Sequence, residues 1–563
     1  MHYIDWLILI SVLLFIVLYG SIKAKGSNSV KEYILGNNQT PWYIIGISVM
    51  ATQASAITFL STPGQAYHDG MEFIQFYFGQ PLAMLVVCMI FIPIYHRLKV
   101  YTAYQYLEER FDSKSRFFTA SLFLISRGLS TGFTIYTPSI VLSTILGWDL
   151  ILLNIAIGTL VILYTVIGGT NGVNLTQKYQ MYIITIGMIF IFGYLLYQLP
   201  SEVTLTNAFQ IAGINNKMQV IDFSVDFENP YTFWSGITGG FFLALSYFGT
   251  DQSQVGRYLS GKSVRDSRLG LLFNAVIKLP FQFFILSIGI LIFVFFQFHH
   301  SPLHFNPVAT DAVMKSQYAD QYQSLERKLE NILEQKIEYT LKYANQLENN
   351  YDNSTLQQKI TSLGLQEKEL REQAKELIVK SEQKSQSNDK DYVLVYFILH
   401  FLPKGIVGLL LAVIISAAMS STAASLNALA ATTTMDLYKK TNKDNNSAHL
   451  VKVTKIFTII WGVLAITFAC YATLFENLIQ LVNILGSIFY GVILGVFLVG
   501  FFLKKVNGTA LFYGAILSQI IVIVVFALKI IGYLWLNVIG AIAVILLSFI
   551  LELIINSRKK LSK

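Results

Sequence analysis

The sequence predicts an all-α polytopic membrane protein with about thirteen transmembrane helices. Of its 563 residues, 54% are hydrophobic and only 13% are charged, whereas a soluble globular domain carries about 25% charged residues. The mean hydropathy is +0.54. The apolar runs are continuous over helix length rather than alternating, which favours membrane-spanning helices over porin-type strands.

The individual crossings follow from the length of these runs, since about 20 apolar residues span the bilayer core. Thirteen runs qualify, at 4–22, 41–64, 75–97, 117–146, 149–167, 177–199, 233–250, 269–297, 404–434, 452–474, 476–503, 508–530 and 533–556. Two of them, 117–146 and 404–434, exceed the length of one crossing, so we expect tilt or an extra turn there.

The basic residues between the runs predict the topology. If the N-terminus lies outside, the loops that face the cytoplasm are rich in Lys and Arg, as at Arg97, Lys99, Arg257 and Lys262. The opposite short loops hold few, with Lys217 the clearest example. By the positive-inside rule, the N-terminus is outside and the C-terminus cytoplasmic, in a cell membrane that we take to be a bacterial inner membrane. The net charge of +8 therefore reflects topology, and no nucleic-acid partner is expected.

One polar segment divides the chain into spans 1–8 (1–300), an extracytoplasmic loop (301–391) and spans 9–13 (392–563). Within the loop, 315–391 has apolar residues at helical spacing on both sides of the turn-like sequence ENNYDNS. This pattern predicts an antiparallel hairpin of two amphipathic helices. Two interpretations remain open: a solvated insertion without a role in transport, or a surface for self- or partner-association.

The stretch AAMSSTAASLN, 417–427, places hydroxyl groups inside an apolar run. One interpretation is that Ser421 bonds back to the carbonyl of Ala417, and Ser420 to that of Ser416. The other is a small hard cation, which takes about five oxygen ligands by analogy with other hard cations. Ser420 and Ser421 would supply hydroxyls and Ala417 a carbonyl.

The second run offers the remaining oxygens. Its sequence ISVMATQASAITFLSTPGQAYHDG, 47–70, holds many hydroxyl and amide groups and contains Pro63-Gly64. It is typical of a membrane helix whose backbone opens locally and exposes carbonyl groups to an ion. The two stretches together predict a cation site between two helices.

Several stretches, in order along the chain, resemble the sodium:solute symporter family, which includes sodium/glucose, sodium/sialic acid, sodium/iodide and sodium/monocarboxylate transporters. They are ASAITFLSTPGQAYHDG (54–70), FGQPLAMLVVCMIFIPIYHRLKVYTAYQYLEERFD (78–112), IYTPSIVLSTILG (135–147), VIGGTNGVNLTQKYQ (166–180), SYFGTDQSQVGRYLSG (246–261) and FLPKGIVGLLLAVIISAAMSSTAASLNALAATTTMDLYKK (401–440). The amino-acid sequences of several of these stretches are most similar to the iodide, monocarboxylate and vitamin branch of the family. The 315–391 insertion has no counterpart in the common family pattern.

The resemblance implies a fold and an activity. The family has two inverted five-helix repeats of the LeuT type, here about 41–199 and 233–503, with the second interrupted by the insertion. The solute would bind near the midplane, beside the broken helices two and seven. We therefore expect a sodium-coupled secondary active symporter that imports a small solute by alternating access, and no enzyme.

The resemblance also implies the ion ligands. The family's principal sodium site uses backbone carbonyls that match Ala51, Ala54 and Ala417, and hydroxyls that match Ser420 and Ser421. Carbonyl ligands do not depend on the side chain, so alanine suits the first three positions. Sodium is the only cofactor expected.

Some members of the family have a second sodium site, which this sequence does not preserve. That site needs an Asp shortly after the GG-x-x-G turn and two hydroxyls just beyond the serine pair. Gln177, Ala423 and Ala424 stand at these positions. We therefore expect the second site to be lost and one sodium ion to move with each solute.

Three residues stand out as candidates for solute binding. Arg127 is a lone cation in the fourth run; it would either snorkel or pair with a carbonyl, or hold a solute carboxylate in bidentate fashion. Lys278 matches a lysine near the solute in the sugar branch, or snorkels from a helix end. Tyr247 matches an inner gate, or is a core or interfacial tyrosine. The further pocket candidates are Gln53, Thr58, Gln80 and Asn483.

Arg127 and the branch resemblance point to a small organic anion, such as a monocarboxylate or sialic acid, as the solute. Other functions remain open. They are a proton-coupled symporter of the same fold, a sensor that uses the 315–391 hairpin as effector, a channel and a membrane enzyme. No HExxH sequence or nucleotide-binding loop occurs, which argues against the last. The expected partners are the small-molecule solute and the lipid bilayer.

Overall fold

A computed structural model describes residues 2–23, 29–347, 354–381, 387–441, 446–471 and 478–561. Within these ranges the chain is almost entirely helical, and the only β-pairing among them is an isolated bridge between Thr40 and Gly261. The predicted all-α class is confirmed. The turn of the predicted hairpin at 348–353, and 382–386, lie outside the described residues.

The helices vary in length from one turn to 48 residues. In chain order they are α1 (Tyr3–Lys23), α2 (Val30–Leu35), α3 (Trp42–Gln53), α4 (Ala56–Asp69), α5 (Gln80–Val86), α6 (Ile92–Leu98), α7 (Gln105–Arg110), α8 (Ser113–Leu146), α9 (Leu150–Tyr197), α10 (Leu205–Ile214), α11 (Gly240–Thr250), α12 (Gln252–Leu259), α13 (Val264–Phe295), α14 (Pro307–Met314), α15 (Ala319–Leu347), α16 (Ser354–Ser381), α17 (Val393–Phe401), α18 (Ile406–Thr432), α19 (Lys439–Thr441), α20 (Ser447–Tyr471), α21 (Leu478–Phe502), α22 (Gly508–Leu528) and α23 (Trp535–Leu561).

In the described part of the chain, nine helical stretches are long and apolar enough to cross a bilayer. One of them, α9, has 48 residues and would extend about 72 Å at 1.5 Å per residue, more than twice the bilayer core. Its backbone leaves the helical conformation at Gly169, with φ 52° and ψ −156°, and it contains two of the predicted crossings. Each predicted run overlaps a helix, while their number, thirteen, stays a prediction.

The second predicted crossing is divided into α3 and α4. The break lies at Ala54 and Ser55, where the N–H groups bond to Met50 O at 2.8 Å and Gln53 O at 2.9 Å. The expected local opening of this helix is therefore present. It does not depend on Pro63, which lies inside α4.

The seventh predicted crossing is divided in a similar way. Here α11 ends at Thr250 and α12 begins at Gln252, with Asp251 extended between them at φ −76° and ψ 118°. The Asp251 carboxylate caps α12 by accepting the Ser253 N–H at 2.8 Å, as expected of aspartate before a helix. The second and seventh predicted crossings are therefore both divided into two helices.

The predicted hairpin is present as α15 and α16. Lys336 pairs with Glu367 at 2.7 Å, and Gln357 donates to the Tyr343 hydroxyl at 3.3 Å. Tyr343 follows Lys336 in α15, but its partner Gln357 precedes Glu367 in α16. The two helices therefore run antiparallel. Their apolar faces are buried as the sequence pattern indicates, at Leu325, Leu329, Leu333, Ile360, Leu363, Leu370 and Leu377.

Gly64 allows the segment that follows the hairpin to pack closely against α4. A Cβ at this position would lie 1.7 Å from the carbonyl oxygen of Lys390. We expect Gly64→Ala to lower the thermal unfolding temperature of the purified protein, because overpacking against backbone costs about 1–3 kcal/mol.

Gly193→Ala is the matched control, since a Cβ added to this α9 glycine would have no atom within 4 Å. The change removes a flexible residue from a helix interior and should stabilise it by up to about 1 kcal/mol. Equal unfolding temperatures for the two variants would contradict the packing described here.

Candidate functional site

A central cavity of about 160 Å³ lies between the two broken helices and α5, α8, α13, α18 and α21. All seven residues that the sequence singled out for solute binding line it: Gln53, Thr58, Gln80, Arg127, Tyr247, Lys278 and Asn483. They come from several helices that are far apart along the chain, so only the folded chain brings them together.

The break in α3 frees a backbone oxygen. Ala51 lies in the last turn of α3, where carbonyl groups lack an intrahelical partner, because the Ser55 N–H turns to Gln53 O instead. The Ser420 hydroxyl of α18 donates to the Ala51 carbonyl at 3.2 Å. Two oxygens that each lie about 2.4 Å from one hard cation can be separated by about this distance. The separation between the Ser420 and Ala51 oxygens is therefore compatible with both atoms contacting one cation.

Ser421 behaves differently from Ser420. Its hydroxyl donates back along α18 to Ala417 O at 3.1 Å and Ala418 O at 3.2 Å, and the residue lines the cavity. The back-bond proposed for Ser421 is thus observed, whereas Ser420 bonds to Ala51 rather than to Ser416. Ala54, the fifth expected ligand, lies at the break with ψ 67°.

Gln177 of α9 occupies the space beside these residues. Its side-chain N–H₂ donates to the Ser420 carbonyl at 3.2 Å and to the Thr52 hydroxyl at 3.1 Å, while its oxygen accepts from Ser48. Both ends of the amide are used in linking α3, α9 and α18. Ala423 and Ala424 are buried and bring no side-chain oxygen.

Arg127 forms a buried ion pair that the sequence did not predict. Its Nε donates to Asp251 Oδ2 at 3.1 Å, and its Nη2 contacts the same oxygen and the Tyr490 hydroxyl, the latter at 2.8 Å. Tyr490 in turn donates to Asp251 at 2.7 Å. The interpretation that Arg127 snorkels or pairs with a carbonyl is therefore wrong, because a carboxylate at the helix break neutralises it.

Asp251 and Tyr490 are the site residues that sequence reasoning missed. An acidic residue at the end of the apolar seventh run was a usable signal, since intramembrane carboxylates are rare and paired. Asp251 uses Oδ1 to cap α12 and Oδ2 to hold Arg127. The pair thus joins α8 to the second helix break.

Lys278 is 2% exposed in the middle of α13. It lies about 21 Å along the helix from Val264, at 1.5 Å per residue, so the interpretation as a snorkelling helix-end lysine is wrong. Its Nζ donates to Gln282 Oε1 at 3.2 Å and lies 5.0 Å from the centre of the Tyr77 ring. Among the described residues no carboxylate lies within ion-pair distance of it.

Tyr247 lines the cavity beside these charges. Its hydroxyl accepts from Gln254 Nε2 at 2.6 Å, and its ring lies 5.4 Å from the Arg127 guanidinium carbon. The cavity wall therefore holds two cations, Arg127 and Lys278, and the carboxylate of Asp251 adjoins it. This excess of positive charge, with several hydroxyls and amides, suits an anionic solute.

Comparison with known proteins adds independent findings. A model of the sodium:solute symporter family matches residues 33–323 and 376–534. The chain is 25% identical to the sodium/sialic acid symporter SiaT of Proteus mirabilis (strain HI4320), over 100% of this chain and 97% of SiaT. It is 26% identical to the human sodium/iodide cotransporter over 86% of this chain. It is 28% identical to the human sodium-coupled monocarboxylate transporter 2 over 45% of this chain.

The chain spans 62% of the length of the iodide cotransporter and 41% of that of the monocarboxylate transporter. A solved structure of a Na⁺-coupled sialic acid symporter, in a substrate-bound outward-open state, superposes with a TM-score of 0.75. The superposition covers 98% of both chains at 24% identity. The likeness confirms the predicted fold class.

The contact between Ser420 and Ala51 leads to a test of ion binding. Ser420→Ala should raise the sodium concentration needed for half-maximal solute binding by about tenfold or more, since one lost polar ligand costs roughly 1–3 kcal/mol. Solute binding to purified protein at graded sodium concentrations measures this. Ser416→Ala, one turn earlier with a hydroxyl that bonds to none of the described residues, should leave the value unchanged; equal values for both variants would exclude Ser420 as a ligand.

The Arg127–Asp251 pair leads to a test of stability. Arg127→Gln and Asp251→Asn should each destabilise the protein by about 3–5 kcal/mol, because each leaves a buried charge without its partner. The double variant should recover much of this loss. Thermal unfolding of the three variants measures the coupling, and strictly additive losses would show that the two groups do not interact.

Proposed function

Because the chain belongs to the sodium:solute symporter family, we propose that it imports a small organic anion together with one sodium ion, by alternating access to the central cavity. The observation that carries the proposal is the meeting of the Ser420 hydroxyl with the freed Ala51 carbonyl, next to a cavity with excess positive charge. The predictions of a transporter rather than an enzyme, and of sodium coupling, are confirmed at the level of the family.

The sodium ion would bind between α3 and α18. The carbonyls of Ala51, Ala54 and Ala417 and the hydroxyls of Ser420 and Ser421 would hold it. These oxygens come from the helix break and from α18, so an ion there favours the arrangement in which α18 lies against the break. Ser421 also lines the solute cavity, so the ion's charge would act directly on a bound anion. Binding of one ligand then raises the affinity for the other, which is the requirement for coupled transport.

The anion would bind near Arg127 and Lys278. The Asp251 and Tyr490 contacts engage Nε and Nη2 of Arg127 and leave out Nη1, and a guanidinium has five N–H donors. A solute carboxylate could therefore contact Arg127 while the pair with Asp251 persists. The names of the relatives agree with this class, since they include a sialic acid symporter and a monocarboxylate transporter.

We propose that only one sodium ion moves with each solute because Gln177, Ala423 and Ala424 remove the ligands of a second sodium site. The second family site would need a carboxylate and two hydroxyls at these positions. Gln177 instead brings a neutral amide whose N–H₂ group points at Ser420 and Thr52. N–H donors repel a cation, so these contacts support the loss of the second site.

We propose that the N-terminus lies outside and the C-terminus in the cytoplasm of a bacterial inner membrane. Asp5 accepts the N–H groups of Gly405 and Gly408, which puts the start of the chain at the same end as the segment after the hairpin. Basic residues of loops that we assign to the cytoplasmic side contact one another's segments. Arg110 donates to Lys504 O at 2.9 Å, and Lys440 pairs with Glu108. The division into 1–300, 301–391 and 392–563, and the repeats at 41–199 and 233–503, belong to the same proposal.

The stoichiometry has a consequence for the membrane potential. One sodium ion and one monovalent anion carry no net charge, so the potential, worth about 2.3 kcal/mol per charge at 100 mV, should not drive uptake. In proteoliposomes with a fixed sodium gradient, uptake of a monocarboxylate should proceed at the same rate with and without an inside-negative potassium diffusion potential.

Uptake that increases with the potential would mean that a second sodium ion is carried with each monocarboxylate. Replacement of sodium by choline at constant pH is the control, and should abolish accumulation. Uptake that persists in choline and follows a pH gradient would favour the alternative of a proton-coupled symporter.

Removal of the 315–391 hairpin tests the alternative of a sensor. A variant that still takes up the solute but no longer signals would favour the sensor.

A further inference from the structure

The hairpin covers a second, larger chamber of about 490 Å³. One wall is the inner face of α15 and α16, from Lys336 and from Thr361 to Lys375. The other wall is formed by the C-terminal end of α4, the segment 214–217, Phe293 of α13, and Asp389 and Lys390. The sequence pattern predicted the hairpin but not this chamber.

The hairpin is attached firmly at the chamber. Arg371 is 9% exposed. Its guanidinium donates to the carbonyls of Pro302 at 2.8 Å and Leu303 at 3.1 Å, and to the Ser301 hydroxyl at 2.7 Å. Such a buried, multiply bonded guanidinium holds its helix in one position. The chamber is therefore a built space between packed elements and not a gap beside a free arm.

The chamber wall carries more positive than negative charge. Its six lysine and arginine side chains outnumber its four carboxylates. Asp69 pairs with Lys390, Glu372 with Lys375, and Glu367 with both Lys336 and Arg371, while Asp389 contacts the His68 imidazole at 3.1 Å. Lys217 and Lys368 also line it and form no ion pair within the described part of the chain. Two ammonium groups are therefore left to attract an anion.

Two cations of the chamber wall, Lys217 and Lys336, lie near one aromatic ring. The Lys217 Nζ lies 5.3 Å and the Lys336 Nζ 5.8 Å from the centre of the Phe293 ring, so the two groups face the same ring. Burial lowers the pKa of Lys217 to about 8; Lys336 and Lys368 act in the same direction, against Asp69 and Glu367. An anion placed among them would relieve this repulsion.

We propose that the chamber is an anion-binding site that takes up a small carboxylate before it enters the central cavity. This inference rests on the proposed function for the identity of the anion and for the outward position of the hairpin. Helix α4 links the two spaces, since Tyr67 lines the chamber and Thr58 the cavity, at positions about 14 Å apart along the helix. The site concentrates the anion beside the broken helix.

The test uses the full-length protein with one reporter cysteine in the chamber. Cys88 and Cys470 are replaced by serine, and Thr361→Cys puts a thiol on the chamber wall. A negatively charged methanethiosulfonate reagent should label this thiol about tenfold faster than a positively charged one of similar size, because a cleft of one sign concentrates the opposite ion about 10-fold or more. Pyruvate or N-acetylneuraminate should slow labelling, in choline as well as in sodium.

The variant Lys217→Gln with Lys368→Gln should remove most of the charge preference and of the protection. Lys342→Gln with Lys380→Gln is the matched control, because both lysines are on the same hairpin, are more than half exposed and lie outside the chamber. If the first double variant does not fold, the single variant Lys368→Gln, at an exposed position, should still lower the preference. Equal labelling by both reagents, with no protection by either carboxylate, would overturn the inference.

Uptake measured in parallel separates this inference from the proposed function. The chamber variant should need a higher carboxylate concentration for half-maximal uptake, with an unchanged maximal rate. Protection of the thiol without sodium-driven uptake of either carboxylate would refute the proposed function and leave the chamber site standing. Sodium-driven carboxylate uptake without protection would refute the chamber site alone.

Discussion

The break between α3 and α4 is the constraint on which the rest of the site depends. A regular helix would bond the Ser55 N–H to Ala51 O, and no backbone oxygen would face α18. Because the Ser55 N–H bonds to Gln53 O instead, the Ala51 carbonyl is available to the Ser420 hydroxyl at 3.2 Å. In a membrane such a freed group must find a partner inside the protein. In this structure the Ser420 hydroxyl is that partner, and in the mechanism proposed above a sodium ion would take its place.

The charges around the cavity form a second system that depends on a helix break. Asp251 is extended between α11 and α12, and its two oxygens serve different helices, one capping α12 and the other holding Arg127 of α8. Lys278 has no such carboxylate among the described residues. The cavity wall, with Arg127 and Lys278, and the hairpin chamber, with Lys217 and Lys368, each carry more positive than negative charge. Both spaces therefore attract anions.

The sequence was sufficient for features that depend on local pattern. Apolar runs predicted the helices, and the hydroxyls of 47–70 and 417–427 predicted a cation site between two helices. The family resemblance then implied individual ligands for that site.

The sequence was insufficient for features that depend on packing between distant parts of the chain. The partner of Arg127 lies 124 residues away, and the depth of Lys278 in α13 depends on where that helix begins. Pro63 lies inside α4 and not at the break, and the glycine that follows it allows α4 to pack closely against Lys390. The chamber needs contacts between Arg371 and residues 68 to 70 positions earlier.

Hydrogen–deuterium exchange at the α3–α4 break tests the central claim most directly. If sodium bridges Ala51 and Ala54 to Ser420 and Ser421, backbone amides in 51–59 should exchange more slowly in sodium chloride than in choline chloride at equal ionic strength. Amides of α22, which lies far along the chain from the break, should exchange equally in both salts. The same exchange rate at the break in both salts, in protein that still shows sodium-dependent uptake, would place the ion elsewhere.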